Sequence, residues 1–361
     1  MRPTDKKKEM LPACGYGLLG LCCSGCLLGP CRLSPFEQES LTGLCGMNAE
    51  AVVAQNLLGF VQTEAAWEIS RWRALIIELQ TWNPPPPAQK GEVRWTKKIL
   101  FEKYGLAPRL PLRKAIQVLL REARNFISPV PEGHRSFLFR FFPQKAWPSP
   151  FDDPSQPISL TQLLLNSWGR NKSESSGVEG PLQECLDLSL IVLLSQRLRE
   201  DLRLLMEKKE TFPGERVSTL LGGIAVPPPP FIVVLSASES PLPEPEQRRV
   251  DELLPTLDKA FPLIRLSNTG ALVDLGQEVS ASGSLAIPDL RVVVLVTTTK
   301  VTTVLGALAL GFKVTSIPPL PIHGSKEAEE FFLEGLRRKL GNTYLLSWEG
   351  DLSSKILDCL A

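Results

Sequence analysis

Six cysteines fall within the first 45 residues of this 361-residue chain, at Cys14, Cys22, Cys23, Cys26, Cys31 and Cys45. Only Cys185 and Cys359 remain for the rest. That crowding constrains the chain more than its overall composition does. A cubane iron–sulfur cluster needs four thiolates converging on one point, and it is held in tight turns of small residues. Gly25, Gly29, Pro30, Gly43 and Gly46 supply such turns and let backbone N–H groups approach the sulfides. Neighbouring side chains diverge, so Cys22 and Cys23 do not readily serve one site. The simplest partition gives Cys23, Cys26, Cys31 and Cys45 one complete set and leaves Cys14 and Cys22 as half of another. Two thiolates from each of two chains complete a cluster on a two-fold axis, which predicts a homodimer. A four-thiolate zinc site stays open on spacing alone, although zinc ribbons pair two CxxC knuckles and only one occurs here.

Composition narrows the surroundings. Lys and Arg number 40 against 39 Asp and Glu, a formal charge of +1, so no cationic excess points to nucleic acid or to an anionic membrane surface. No apolar run approaches the roughly 20 residues of a spanning helix. The cysteines at 22, 23 and 26 interrupt the one N-terminal stretch resembling a signal peptide. A cytoplasmic location is expected, where thiols stay reduced and clustered cysteines more often bind metal than form disulfides.

The hydrophobic pattern divides the chain into residues 1–46, the cluster-binding segment, and 47–142, a helical domain. A Pro/Ser-rich linker at 143–180 and a helical connector at 181–216 precede an α/β domain at 217–361. Ala49 to Leu79 reads as helix, with Val53, Leu57, Phe60 and Val61 recurring at helical spacing. Helices are expected again over 93–105, 111–126 and 181–209. In the last domain the apolar runs Phe231–Leu235 and Val292–Val296 are fully buried strands, with further extended segments at 263–266, 312–317 and 344–348. Helices at 249–261, 300–310, 325–340 and 351–360 alternate with them. The fold class is α plus α/β: a cysteine-rich segment and helical domain, then a doubly wound, Rossmann-like parallel sheet of about five strands.

The run Cys22-Cys23-Ser-Gly-Cys26-Leu-Leu-Gly-Pro-Cys31-Arg32, then Gly43-Leu-Cys45-Gly46 and Val53-Ala-Gln-Asn-Leu-Leu58, resembles the N-terminus of the anaerobic nickel–iron carbon monoxide dehydrogenases. All six cysteines keep that family's spacing. The C-terminal Leu308-Ala-Leu-Gly-Phe-Lys-Val314, Pro318-Pro-Leu-Pro321, Gly324-Ser325 and Gly341-Asn-Thr-Tyr-Leu-Leu346 are similar to its last Rossmann-like domain. The resemblance implies that Cys23, Cys26, Cys31 and Cys45 ligate a [4Fe–4S] relay cluster within each chain. It implies that Cys14 and Cys22 ligate an iron–sulfur cluster bridging the dimer.

The same resemblance implies a nickel–iron–sulfur active site held by a histidine and several cysteines. Beyond residue 45 the chain offers only Cys185, Cys359, His134 and His323, too few for that set, so nickel is not expected. Positions where the family carries proton-transfer histidines hold Glu68 and Arg71. Cys185 and Cys359 read as buried structural thiols, His323 as a loop residue and His134 as part of a solvated turn. Neither GxGxxG nor a Walker A motif follows a strand, and Thr297 to Lys300 reads as a helix N-cap run with little affinity for anions.

The leading expectation is therefore an electron-transfer homodimer related to carbon monoxide dehydrogenase but without its nickel site. A ferredoxin-like carrier would serve as partner, steered by Lys6 to Lys8. Two alternatives stand beside it. One is a minimal carbon monoxide dehydrogenase, or another small-molecule redox enzyme with unusual ligands. The other is a dimerisation or assembly partner of a full-length carbon monoxide dehydrogenase.

Overall fold

The structure, a computed structural model, describes residues 16, 21–23, 29–33, 42–82, 104, 106–107, 110–128, 159–169, 178–206, 227, 229–236, 242–266, 269–281, 291–317, 334, 336, 340 and 351–360. A two-stranded antiparallel ribbon, β1 (Cys22–Cys23) and β2 (Cys31–Arg32), leads into the long helix α1 (Ala49–Thr81). Asn48 starts α1 by accepting the Ala51 N–H at 2.9 Å, which satisfies one of the donors that every helix start leaves open. Val53, Leu57 and Val61 are buried, but Phe60 stands 50% exposed. The helix therefore turns a narrower face inward than its apolar content implies.

Helices α2 (Leu112–Ile127), α3 (Leu160–Gly169) and α4 (Glu179–Met206) complete the helical layer. Helix α3 lies inside the segment read as linker. The cluster of prolines before it and the polar run after it obscured ten residues with Leu160 and Leu164 buried, and Ser159 caps the start by accepting the Gln162 N–H at 3.0 Å. Helix α4, read as a connector, is the centre of the molecule. From Cys185 to Arg199 every residue is buried, and it packs against α1 on one side and the α/β unit on the other.

Among the described residues the α/β unit holds β3 (Phe231–Ser236), α5 (Glu244–Ala260), β4 (Leu263–Leu266), α6 (Ala271–Ala281), β5 (Val292–Thr297), α7 (Val301–Ala309), β6 (Lys313–Ser316) and α8 (Leu352–Leu360). The strands form a parallel sheet in the order β4-β3-β5-β6. Alternate residues explain why the strand runs are wholly apolar. Phe231, Val233, Leu235, Val292, Val294 and Val296 share a core with α4 and α7, while Ile232, Val234, Val293 and Leu295 share the opposite one with α5 and α8. Helix α5 begins five residues before the expected Arg249, because Pro243 and Pro245 sit where a helix start lacks N–H partners anyway. Helix α6, absent from the sequence reading, supplies the β4-to-β5 connection. The expected helices at 93–105 and 325–340 and the fifth strand at 344–348 lie outside the described residues, apart from Tyr104, Glu334, Leu336 and Leu340. No helix among the described residues is long and apolar enough to cross a membrane.

Candidate metal centre and the sites around it

The ribbon positions three of the six clustered cysteines. Cys23 and Cys31 are cross-strand partners, so their side chains share a face of the ribbon, with Cβ atoms on the order of 5 Å apart. Cys22 pairs with Arg32 and, by strand alternation, points to the opposite face. The divergence expected of adjacent cysteines is thus a property of the strand. Leu21 and Leu33, flanking the pair, are buried, and the Leu33 N–H donates to the Leu21 carbonyl at 3.0 Å. The Asn56 amide of α1 donates to the Cys22 carbonyl at 3.1 Å, fixing the ribbon to the helix.

Cys45 rides on a tight turn immediately before α1. The Gly46 N–H donates to the Gly43 carbonyl at 2.9 Å, and the Gly43 N–H donates to the Met47 carbonyl at 2.8 Å. Gly46 has φ of 85°, a left-handed conformation that favours glycine. A Cβ placed on Gly43 would sit 3.6 Å from the Cys31 sulfur and 3.9 Å from the Cys45 sulfur. Both thiols therefore border the hollow that glycine leaves open. Cys23 is buried, Cys31 half-buried and Cys45 exposed. Cys14 and Cys26 lie outside the described residues, as do His134, His323 and Lys6 to Lys8.

Among the described residues no three His, Cys, Asp or Glu side chains are close enough to hold one metal ion. A four-iron cubane takes each cysteine on a different iron, so its ligands stand wider apart than those around a single ion. Cys31 and Cys45 border Gly43 and Cys23 pairs with Cys31, a set of soft thiol donors whose chemistry suits an iron–sulfur cluster. Cys22, Cys23, Cys31 and Cys45 are free thiols, as are Cys185 and Cys359. Burial pushes the Cys185 thiol well above its usual value, with Glu184 adding to the shift.

Two polar networks lie away from the cysteines. Glu68, fully buried, accepts from Arg199 at 2.9 and 3.3 Å and from the Ser195 hydroxyl at 3.2 Å, and Arg71 approaches it at 3.8 Å. Trp72 donates its indole N–H to Ser195 at 2.5 Å. Between Ser195 and Arg199, on the other side of α4, Arg197 pairs with Asp201 at 3.3 Å and with Asp274 of α6, and Tyr104 donates to Asp201. Burial opposes the charge on Arg197, but Asp201 and Asp274 outweigh it and hold the guanidinium above its ordinary value. Burial, reinforced by Asp201, pushes the Tyr104 hydroxyl well above the usual phenol range.

The N-terminus of α7, after β5, is where an anion-binding site was sought. It is already filled. Glu64 of α1 accepts the Val301 and Thr302 N–H groups at 2.9 Å each and the Thr302 hydroxyl at 2.5 Å. Of the threonines expected to cap the helix, Thr297 instead donates to the Leu235 carbonyl at 3.0 Å, and Thr298 accepts only the Lys300 N–H, at 3.4 Å. No spacing rule reveals a cap that comes from 237 residues away.

Parts of the chain are similar to known proteins. A carbon monoxide dehydrogenase of Methanosarcina acetivorans is 31% identical over 123 residues, 33% of this chain and 19% of the relative. One from Carboxydothermus hydrogenoformans is 36% identical over 107 residues, 29% of this chain and 16% of the relative. Part of this chain is thus similar to the carbon monoxide dehydrogenases. The matched segments span less than a fifth of those curated relatives. No protein-family model matches. Carbon monoxide dehydrogenase IV of C. hydrogenoformans aligns over 96% of this chain and 59% of its own, at 16% identity and a TM-score of 0.43. The nickel-free enzyme of Thermococcus sp. AM4 aligns over 94% and 58%, at 16% identity and a TM-score of 0.42.

Proposed function

We propose that this carbon monoxide dehydrogenase relative is an iron–sulfur electron-transfer protein without the nickel site. Cys23, Cys26, Cys31 and Cys45 hold one [4Fe–4S] cluster per chain, and Cys14 and Cys22 supply half the ligands of a cluster shared across a homodimer. The observation that carries this reading is the hollow at Gly43, bordered by the Cys31 and Cys45 sulfurs, with Cys23 paired across the ribbon and Cys22 on its other face. A bound cluster supplies one-electron redox chemistry whose potential depends on burial and N–H···S hydrogen bonds. The chain's own part is to fix the thiols. Asn56 and Asn48 tie the ribbon and the Cys45 turn to α1, and burial of Cys23 keeps one side out of water.

Glu68 and Arg71 support the non-catalytic part of the reading. They stand where the resemblance places proton-transfer histidines, and both of the Glu68 oxygens already accept from Arg199. We read the C-terminal unit as doubly wound and Rossmann-like, supported by β4 and β5 flanking β3 and by helices on both faces.

Anaerobic reconstitution, iron counting and sedimentation test the proposal. The expected product is a dimer with four irons per chain plus a shared cluster. C14S/C22S should lose only the shared iron and C31S the intrachain cluster. A zinc-only preparation, or an iron-loaded monomer, refutes the shared-cluster reading. Viologen-coupled CO oxidation at the rate of full-length relatives overturns the non-catalytic one.

A further inference from the structure

Between the C-terminal end of α1 and α2 lies an open groove of about 350 Å³. Its floor is apolar: Leu79, Ile116 and Leu120 are buried, and Trp82, partly buried, forms an aromatic wall. Its rim is cationic. Arg113, Arg121 and Arg124 of α2 recur at spacings of eight and three residues, which brings all three to one side of the helix. Among the described lining residues there is no carboxylate. Glu122 approaches Arg121 at 3.9 Å, and no ion pair joins Arg113 or Arg124 to another described residue.

Three like charges around one hollow repel each other unless an anion joins them, and an apolar floor strengthens the potential they set up in the groove. Guanidinium groups match carboxylate and phosphate oxygens two at a time. Gln80 and Gln117 add neutral donors and acceptors at the rim. The volume suits a small molecule and not a protein segment. We infer that this groove binds a small organic anion with two or more negative charges at one end and a flat apolar or heteroaromatic body, the chemistry of a nucleoside diphosphate. The charged end meets Arg113 and Arg124, and the flat body covers Trp82 and the leucine–isoleucine floor. The groove lies about 45 Å along α1 from the Cys45 turn, at 1.5 Å per residue. It is therefore independent of the proposed clusters and stands or falls without them.

Titration calorimetry on the full-length protein tests the site, with ADP, adenosine and inorganic phosphate as probes. ADP is expected to bind one per chain, with affinity falling as salt rises. Adenosine and phosphate should each bind about tenfold more weakly or worse, and R113Q/R124Q should cost ADP at least about tenfold, as loss of charged hydrogen bonds implies. These exposed arginines do not hold the fold, and R248Q on α5, remote from the groove, should leave binding unchanged. No ADP binding at millimolar concentration, phosphate binding as tightly as ADP, or unaltered ADP affinity in R113Q/R124Q overturns the inference.

Discussion

Replacing Glu64 with alanine would empty the cup at the start of α7. The carboxylate accepts three hydrogen bonds there, two from backbone N–H groups of Val301 and Thr302 that are themselves buried. A buried donor left without an acceptor costs about 1–3 kcal/mol. Loss of a helix cap costs about 0.5–2 kcal/mol, and these are overlapping descriptions of one contact. Two such donors are left here, about 2–6 kcal/mol, and water entering the vacated volume recovers part of it, so the expected loss is about 2–4 kcal/mol. Glu64→Gln should cost less, since its amide keeps one acceptor but turns an N–H₂ toward a donor. Urea unfolding reads both values. The decisive measurement is rescue: the emptied cup is a helix start with two convergent N–H groups, the arrangement that binds phosphate. Inorganic phosphate should therefore raise the unfolding midpoint of E64A well beyond its effect on the wild type. At a hundred times the dissociation constant the gain is about 2.7 kcal/mol. A change under about 0.5 kcal/mol for E64A, or equal stabilisation of both proteins by phosphate, refutes the reasoning.

Other perturbations follow from the same packing. Arg199→Met leaves the Glu68 carboxylate buried without its main partner and should cost about 3–5 kcal/mol in urea unfolding, while Glu68→Leu with Arg199→Met should recover most of that. At Gly306 an added Cβ would lie 2.3 Å from the Leu193 Cδ1 and 3.1 Å from the Ser189 carbonyl. Gly306→Ala should therefore cost about 1–3 kcal/mol through forced repacking, measurable as a lower melting temperature. Cys185 and Tyr104 both have raised values in the folded chain. A raised acid group favours its neutral form in the fold, so its contribution is intact below the unfolded value and fades as pH rises past it. Urea midpoints should hold to about pH 8 and fall through pH 9–11, as thiol and phenol ionise in the unfolded chain at about 8.5 and 10. Cys185→Ala should remove the earlier part of that fall.

How much of this was legible in sequence depends on how local the cause is. The strands over 231–235 and 292–296 were readable because both faces are covered and every residue is apolar. The divergence of Cys22 from Cys23 was readable from their adjacency alone, and the structure makes it strand alternation. Helix α3 was not, because its ten residues lie among prolines and serines that dominate any window around them. Helix α4 was readable as a helix, but the burial of its charged residues was not. Arg197 and Arg199 are buried because Asp274 of α6 and Glu68 of α1 meet them, and those partners are more than 70 residues away. The Glu64 cap was out of reach for the same reason. Local rules locate a helix start; they do not say which distant side chain closes it.

The central polar layer sets what histidines at 68 and 71 would cost. Placing them there, where the resemblance implies proton-transfer residues, looks like a small change in sequence. In the structure, Glu68 is the acceptor for Arg199, whose side chain is 1% exposed, and it also takes the Ser195 hydroxyl that Trp72 holds in place. A histidine at 68 offers at best one acceptor nitrogen, and a protonated one places a second cation beside Arg199. Either leaves the guanidinium buried without its carboxylate, the case that costs several kcal/mol. Recovery would require changing Arg199 and Ser195 on α4 together with Glu68 and Arg71 on α1. E68H/R71H is accordingly expected to unfold at lower urea than the wild type, and adding Arg199→Met should restore much of the loss. If E68H/R71H alone is as stable as the wild type, the ion pair does not lock α1 to α4, and the interior is more permissive than its hydrogen bonds imply.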